Sequence, residues 1–311
     1  MEKQILIPVA DCRRSLRAVR YAAHTASFID NLHFVLFHVQ PMISLYLQDE
    51  AKKDLHVRVE LNKMKASNEK AAMAILEKFR AEMIAIGVEA SRIEIKTQVR
   101  QLGLAQDIIE YAQEKLFDAI LIGRRRISGI QKMFVSSVSS AVLERSQVLP
   151  VWMVDGNPGG KRLLVAVDGS EASMRAVDHV GFMVSRHPDA SLTLLHVTNT
   201  AQNYCEIDLD VLPEAAEFID IVEKGNRACI DRFYPQAMKK LERMELSEDQ
   251  VRFESIQGGR RIGKAVVDYA KKNRYDTIVI GRTGIDRSFF MGSVSRQIIS
   301  TVSESALWIV N

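Results

Sequence analysis

Asp118-Ala119-Ile120-Leu121-Ile122-Gly123-Arg124 and Asp276-Thr277-Ile278-Val279-Ile280-Gly281-Arg282 stand 158 positions apart and are identical at five of seven places. Each is a short apolar run closed by Gly-Arg, the pattern of a buried strand entering a turn. Outward at the same offset, Ser15-Leu16-Arg17-Ala18-Val19 falls on Ser173-Met174-Arg175-Ala176-Val177, His38-Val39 on His196-Val197, and Tyr111-Ala112 on Tyr269-Ala270. Further on the offset becomes 156, where Ser137-Val138-Ser139 meets Ser293-Val294-Ser295 and Trp152 meets Trp308. A register held so far along the chain marks an internal duplication whose second copy is two residues shorter in one loop. The seam is Asp155-Gly156-Asn157-Pro158-Gly159-Gly160, a cluster of turn formers, so domains are expected at 1–155 and 161–311.

Strands are expected at Ile5–Val9, His33–Val39, Ile93–Val99, Asp118–Ile122 and Val151–Val154, and again at Leu163–Val167, Ser191–Val197, Val251–Gln257, Asp276–Ile280 and Leu307–Val310. Between them the apolar spacing is helical, as in Leu16, Val19, Ala22 and Ala23. Strands that are apolar almost throughout are buried on both faces, which means a parallel sheet covered by helices. Each copy therefore reads as a doubly wound five-stranded α/β unit. Charged runs at about 50–86 and 213–244 separate the second strand from the third, and their Lys and Glu spacing reads as solvated helix faces. The last strands are apolar edges that invite pairing. They are expected to pair within the chain as a pseudo-dimer, with a homodimer as a weaker further association.

The chain of 311 residues is 47% hydrophobic and 26% charged, an ordinary globular composition. Residues 1–155 carry 22 Lys and Arg against 18 Asp and Glu, and residues 156–311 carry 20 against 21. This balance argues against bulk attraction to nucleic acid or an anionic membrane as the main activity and leaves room only for local basic patches. The longest apolar stretches fall short of the ~20 residues of a membrane helix, and Met1-Glu2-Lys3-Gln4 opens no secretory pattern. Cys12, Cys205 and Cys229 are odd in number and contain no Cys-x-x-Cys, so no disulfide or zinc framework is expected. The expected location is cytoplasmic.

In open α/β sheets ligands collect beyond the carboxyl ends of the strands. In the second copy the first strand ends in Ala166-Val167-Asp168-Gly169-Ser170-Glu171-Ala172-Ser173, a carboxylate followed by hydroxyls able to cap a helix. The fourth ends in Gly281-Arg282-Thr283-Gly284, and after seven intervening residues Gly292-Ser293-Val294-Ser295 opens a helix. Glycines admit close approach of an anion, and a helix start donates hydrogen bonds to phosphate oxygens. Glycine turns and Ser caps also occur in any βα unit, so these features alone leave a phosphate site an even choice.

The strand-tip Val-Asp-Gly-Ser-x-x-Ser, the Leu-His-Val closing the second strand, and Ile-Gly-x-x-Gly followed by Gly-Ser-Val-Ser together resemble the universal stress protein (UspA-like) family, in its tandem-domain form. The resemblance covers the whole chain twice. It implies an adenine nucleotide alpha hydrolase-like fold with strand order 3-2-1-4-5 in each domain, and ATP or another adenine nucleotide, with or without magnesium, as ligand. It further implies that Asp168 holds the ribose hydroxyls, that Ala166 and Val197 contact adenine and ribose through their backbones, and that Gly281, Gly284, Gly292, Ser293, Val294 and Ser295 wrap the phosphates. Val167 and Ile280 belong to the same implied set. The family spacing Gly-x2-Gly-x9-Gly-Ser/Thr is shortened here to seven in its last interval, which reshapes the phosphate path.

The first copy departs further: Ala10 stands opposite Asp168, Arg126 opposite Gly284 and Ser136 opposite Gly292. Arg124, Arg125 and Arg126 offer guanidinium forks for an anion, but a solvated loop in a degenerate copy is the expected reading. Gly258-Gly259-Arg260-Arg261-Ile262-Gly263-Lys264-Ala265 approaches a P-loop, yet Ala265 stands where a hydroxyl must ligate magnesium. It reads as a glycine-rich turn, with Lys264 or Arg260 near the site. His38 and His196 read as hydrogen-bonded structural residues, Cys12 as a thiol activated by Arg13 and Arg14, and Cys205 and Cys229 as packing residues. No nucleophile–base pair, metal cluster or catalytic elbow appears, so a dedicated enzyme is not expected and at most slow ATP hydrolysis remains by analogy. The expected function is a stress-response protein whose second domain binds an adenine nucleotide as a regulatory ligand, acting on a protein partner of unknown identity. The alternative is a nucleotide-free tandem scaffold acting through protein–protein contacts.

Overall fold

The computed structural model describes residues 2–124, 138–198, 215–258, 261–283 and 291–311, and among them the apolar runs form ten strands. The chain divides into two compact units, one of Met1–Ala26 and Asn31–Val154, the other of Ser27–Asp30 and Asp155–Asn311. In the first, β1 (Lys3–Pro8), β2 (Leu32–Gln40), β3 (Ile93–Val99), β4 (Ala119–Gly123) and β5 (Val151–Val154) form a parallel arrangement in the order β3-β2-β1-β4-β5. In the second, β6 (Arg162–Val167), β7 (Ser191–Thr198), β8 (Val251–Gln257), β9 (Thr277–Gly281) and β10 (Ala306–Val310) are also parallel, in the order β8-β7-β6-β9-β10. Both orders are 3-2-1-4-5 when counted within the unit. The helices of the first unit are α1 (Arg13–Thr25), α2 (Leu45–Lys53), α3 (Leu55–Ile86), α4 (Leu104–Glu114) and α5 (Val138–Arg145). Those of the second are α6 (Glu171–Val184), α7 (Ala215–Arg243), α8 (Ile262–Lys272) and α9 (Ser293–Thr301).

Burial explains the parallel pairing. Ile5, Leu6 and Ile7 of β1 and Leu163, Leu164 and Val165 of β6 are completely buried, so successive side chains face helices on both sides of the sheet. The repeat-related Trp152 and Trp308 are each fully buried as well. Burying a large apolar side chain contributes about 1.5–3 kcal/mol, so these central strands carry much of each core. Helices α1 and α6 bury matching faces: Ser15, Ala18, Val19 and Ala22 in one, Ser173, Ala176, Val177 and Val180 in the other.

The charged runs form helices whose Lys and Glu lie mostly on exposed outer faces, and each helix also buries an apolar stripe. Residues 50–86 form parts of two helices that break at Asp54, whose carboxylate accepts from the backbone N–H groups of His56 and Val57 and caps α3. One stripe of α3 is buried through Leu61, Ala72, Leu76, Phe79 and Met83, and the helix ends at Gly87 with φ +111. In α7 the buried stripe is Ile230, Phe233, Ala237 and Leu241. Dense Lys and Glu on the outer faces hide these stripes from a reading of charge alone. At one repeat-related place the charges are exchanged. Arg20 of α1 pairs with Glu82 of α3 at 2.7 Å, and in the second unit Asp178 of α6 pairs with Lys240 of α7 at 2.6 Å.

Candidate functional site

In the second unit the chain leaves β6 toward β7 and leaves β9 toward β10, so the carboxyl ends of β6 and β9 open a crevice between them. At the tip of β6, half-buried Asp168 accepts the Ser170 N–H on Oδ1 at 3.0 Å. Ser170 then caps α6, its Oγ accepting from Ser173 N at 3.1 Å. Gly169 makes the corner at φ +82, where a Cβ would lie 2.3 Å from Cys229 Sγ, so both the backbone and the neighbouring thiol require glycine. His196 Nδ1 donates to Val167 O at 3.0 Å and ties the tips of β6 and β7 together. Burial holds its pKa below the ordinary histidine value, so the ring is neutral at pH 7 and serves as a strand-tip brace.

At the tip of β9, a Cβ on Gly281 would stand 2.7 Å from the carbonyl carbon of Ala172, so β9 ends tight beneath the first turn of α6. Ser295 Oγ donates to Gly281 O at 2.9 Å and is buried, which fastens the start of α9 to the strand. Its hydroxyl is thus engaged within the protein, which leaves its backbone N–H as its free polar group at the helix start. Gly292 N donates to Arg282 O at 3.1 Å and closes the loop. Gly292 is the N-cap residue of α9 with φ −58, and among the described residues no side chain caps this helix. The N–H groups of Ser293, Val294 and Ser295 are therefore the orphan donors of a helix start, the usual seat of an anion. Beside them Arg296 donates from Nε and Nη2 to Met291 O at 2.9 and 2.8 Å.

These elements enclose a cavity of about 890 Å³. Ala166, Val167 and Asp168 line it from β6, Val197 from β7, Ile280 and Gly281 from β9, and Gly292, Ser293, Val294 and Ser295 from the start of α9. Gly284 lies outside the described residues, as do Arg125, Arg126, Ser136, Ser137, Cys205, Gly259 and Arg260. Helix α7 adds a wall that the strand-tip reading did not foresee, with Phe218, Val222, Gly225, Asn226 and Cys229 on one face. Their i, i+4, i+7, i+8, i+11 spacing was the available signal. Cys229, expected as a packing residue, is a partly exposed free thiol with Sγ 3.9 Å from Asp168 O. Lys264 does not line the cavity. It is exposed and pairs with Asp268 one turn along α8.

The first unit repeats the frame without the carboxylate. His38 Nδ1 donates to Val9 O at 2.8 Å, and Ser139 Oγ donates to Gly123 O at 3.0 Å, the counterparts of the His196 and Ser295 bonds. Its acidic side chain, Asp11, is exposed and forms an ion pair with Lys78 of α3 at 2.6 Å. Cys12 is half-buried, and although burial opposes ionisation, hydrogen bonds from Ser15 and the Arg14 charge bring its pKa below the usual thiol value. Among the described residues no group of three or more His, Cys, Asp or Glu could hold a metal ion, and no helix is long and apolar enough to cross a membrane.

A model of the universal stress protein family matches residues 1–155 and 160–309. Universal stress protein YxiE of Bacillus subtilis (strain 168) is 26% identical over 141 residues, covering 44% of this chain and 90% of that protein. The crystal structure of a universal stress protein from Archaeoglobus fulgidus DSM 4304 is similar over 99% of this chain and 98% of its own, with a TM-score of 0.64 at 18% identity. A universal stress protein solved in complex with cAMP matches 48% of this chain and 95% of its own, with a TM-score of 0.32 at 20% identity.

Proposed function

Because the chain belongs to the universal stress protein family, we propose that its second unit binds an adenine nucleotide, ATP foremost, as a regulatory ligand. The observation that carries this reading is convergence: the tips of β6, β7 and β9, one face of α7 and the start of α9 bring a half-buried carboxylate and a glycine-capped helix start to one cavity. Asp168 accepts the ribose hydroxyls. The N–H groups of Ser293, Val294 and Ser295 receive phosphate oxygens, with the Arg296 guanidinium beside them. Ala166, Val167, Val197 and Ile280 present strand-tip backbone to the base and ribose. The role proposed is binding rather than turnover, in the cytoplasm, with occupancy biasing the conformation offered to a protein partner.

The shortened interval from Gly284 to Gly292 favours the second reading, a nucleotide-free scaffold. Calorimetric titration of the purified chain with ATP, together with mass-spectrometric search for co-purifying nucleotide, decides between the two. Saturable binding supports the first. No heat and no bound nucleotide across the millimolar range leaves the scaffold.

A further inference from the structure

Three glycines lie inside the described helices of the second unit, and two of them have a packing reason. A Cβ on Gly181 would come to 2.7 Å from Met244 Sδ and 2.8 Å from Leu241 Cδ2. A Cβ on Gly263 would come to 2.8 Å from Val294 O. Gly225, in the interior of α7, has no such reason: its φ is not in the left-handed region, and no heavy atom among the described residues lies within 4 Å of where its Cβ would stand. Short of proline, glycine is the least favourable residue for a helix interior, so the packing of the described residues does not account for it.

What Gly225 borders is the cavity. Cys229 stands one turn beyond it, about 6 Å along the helix axis, and its Sγ reaches to 3.9 Å from the carbonyl of Asp168. Val222 and Phe218 extend the same face in the other direction. None of the residues on this face is charged, so the wall suits a flat, neutral ring.

Resting on the nucleotide reading above, we propose that Gly225 is a specificity-determining position, whose missing side chain leaves the room in which the heterocyclic base lies flat against the α7 backbone between Val222 and Cys229. The remaining parts of the ligand are already accommodated. The phosphates take the start of α9 and the ribose takes Asp168, and the base, whose edge meets the strand-tip backbone, turns a face to α7.

The test pairs two readouts, ATP titration by calorimetry and thermal melting, in Gly225→Ala and Gly225→Leu. Alanine relieves the helix and raises the melting temperature by about 2 °C, yet it weakens ATP binding. Leucine keeps the chain folded and weakens binding by roughly ten-fold or more, the scale on which overpacking acts. A glycine with a structural role alone would change melting and leave affinity untouched. If Gly225→Leu binds ATP as wild type does while Asp168→Ala loses binding, the α7 wall is overturned and the nucleotide reading stands. If the wild-type chain binds no ATP, both fall together.

Discussion

Replacing Asp168 with alanine removes two things, a charged acceptor facing the cavity and the Oδ1 that accepts the Ser170 N–H at 3.0 Å. The first concerns binding. A hydrogen bond from a ribose hydroxyl to a carboxylate contributes about 1.5–3 kcal/mol, which corresponds to roughly ten- to hundred-fold in affinity for ATP. The second concerns folding. Ser170 lies in a partly exposed turn where water can replace the lost acceptor, so the melting temperature should fall by a few degrees at most. Asp168→Asn separates the two effects, because its amide oxygen still accepts from Ser170 while the charge is gone; it should melt like wild type and bind between wild type and alanine. Titration with both ATP and 2′-deoxy-ATP makes the assignment specific. Wild type should prefer the ribose form, and Asp168→Ala should lose that preference, a coupling that a general disturbance of the pocket would not produce. A folded Asp168→Ala variant that still distinguishes the two sugars as wild type does would refute the assignment.

On the same reading one nucleotide should bind per chain, since Ala10 replaces the carboxylate in the first unit and Asp11 is engaged by Lys78; two equal sites in a calorimetric isotherm would contradict this. Gly292→Val should weaken ATP binding with little change in melting, because φ −58 and ψ 155 are open to any residue and the cost falls on phosphate approach; an unchanged dissociation constant would remove Gly292 from the site. Stability should also fall as the pH drops from about 6.5 toward 4. Burial depresses the His179 pKa to about 4, so within that window the unfolded chain takes up a proton that the native state refuses. Urea midpoints at pH 7 and pH 5 should show the drop, and His179→Gln should shrink it; an equal drop in the variant would place the effect elsewhere.

Much of this was legible in the sequence because the information was local. Strand ends, turn glycines and a Ser cap sit within seven residues at Val167–Ser173 and within fifteen at Gly281–Ser295, and the rule that ligands gather at parallel strand ends converts their positions into a candidate site. The α7 wall was not legible. Cys229 meets Asp168 across 61 residues of chain, and Phe218, Val222, Gly225, Asn226 and Cys229 are too mixed in polarity to stand out as a face. The break between α2 and α3 falls at Asp54 with neither glycine nor proline to announce it, and only the carboxylate's bonds to His56 and Val57 make it a cap. Gly292 illustrates a different limit. Its residue type suggests a left-handed backbone, while its place as an uncapped N-cap needs only the absence of a side chain.

The exchanged ion pair has a consequence for how a duplicated chain assembles itself. Two copies of one fold on a single polypeptide risk trading equivalent helices during folding, a characteristic failure of tandem domains. Were α3 to dock on α6, Glu82 would meet Asp178; were α7 to dock on α1, Lys240 would meet Arg20. Each correct pairing joins opposite charges and each crossed pairing opposes like ones. The pairs are solvent-exposed and weak as sources of stability, but they discriminate, giving each copy a polarity by which its own long helix is told from its sister's.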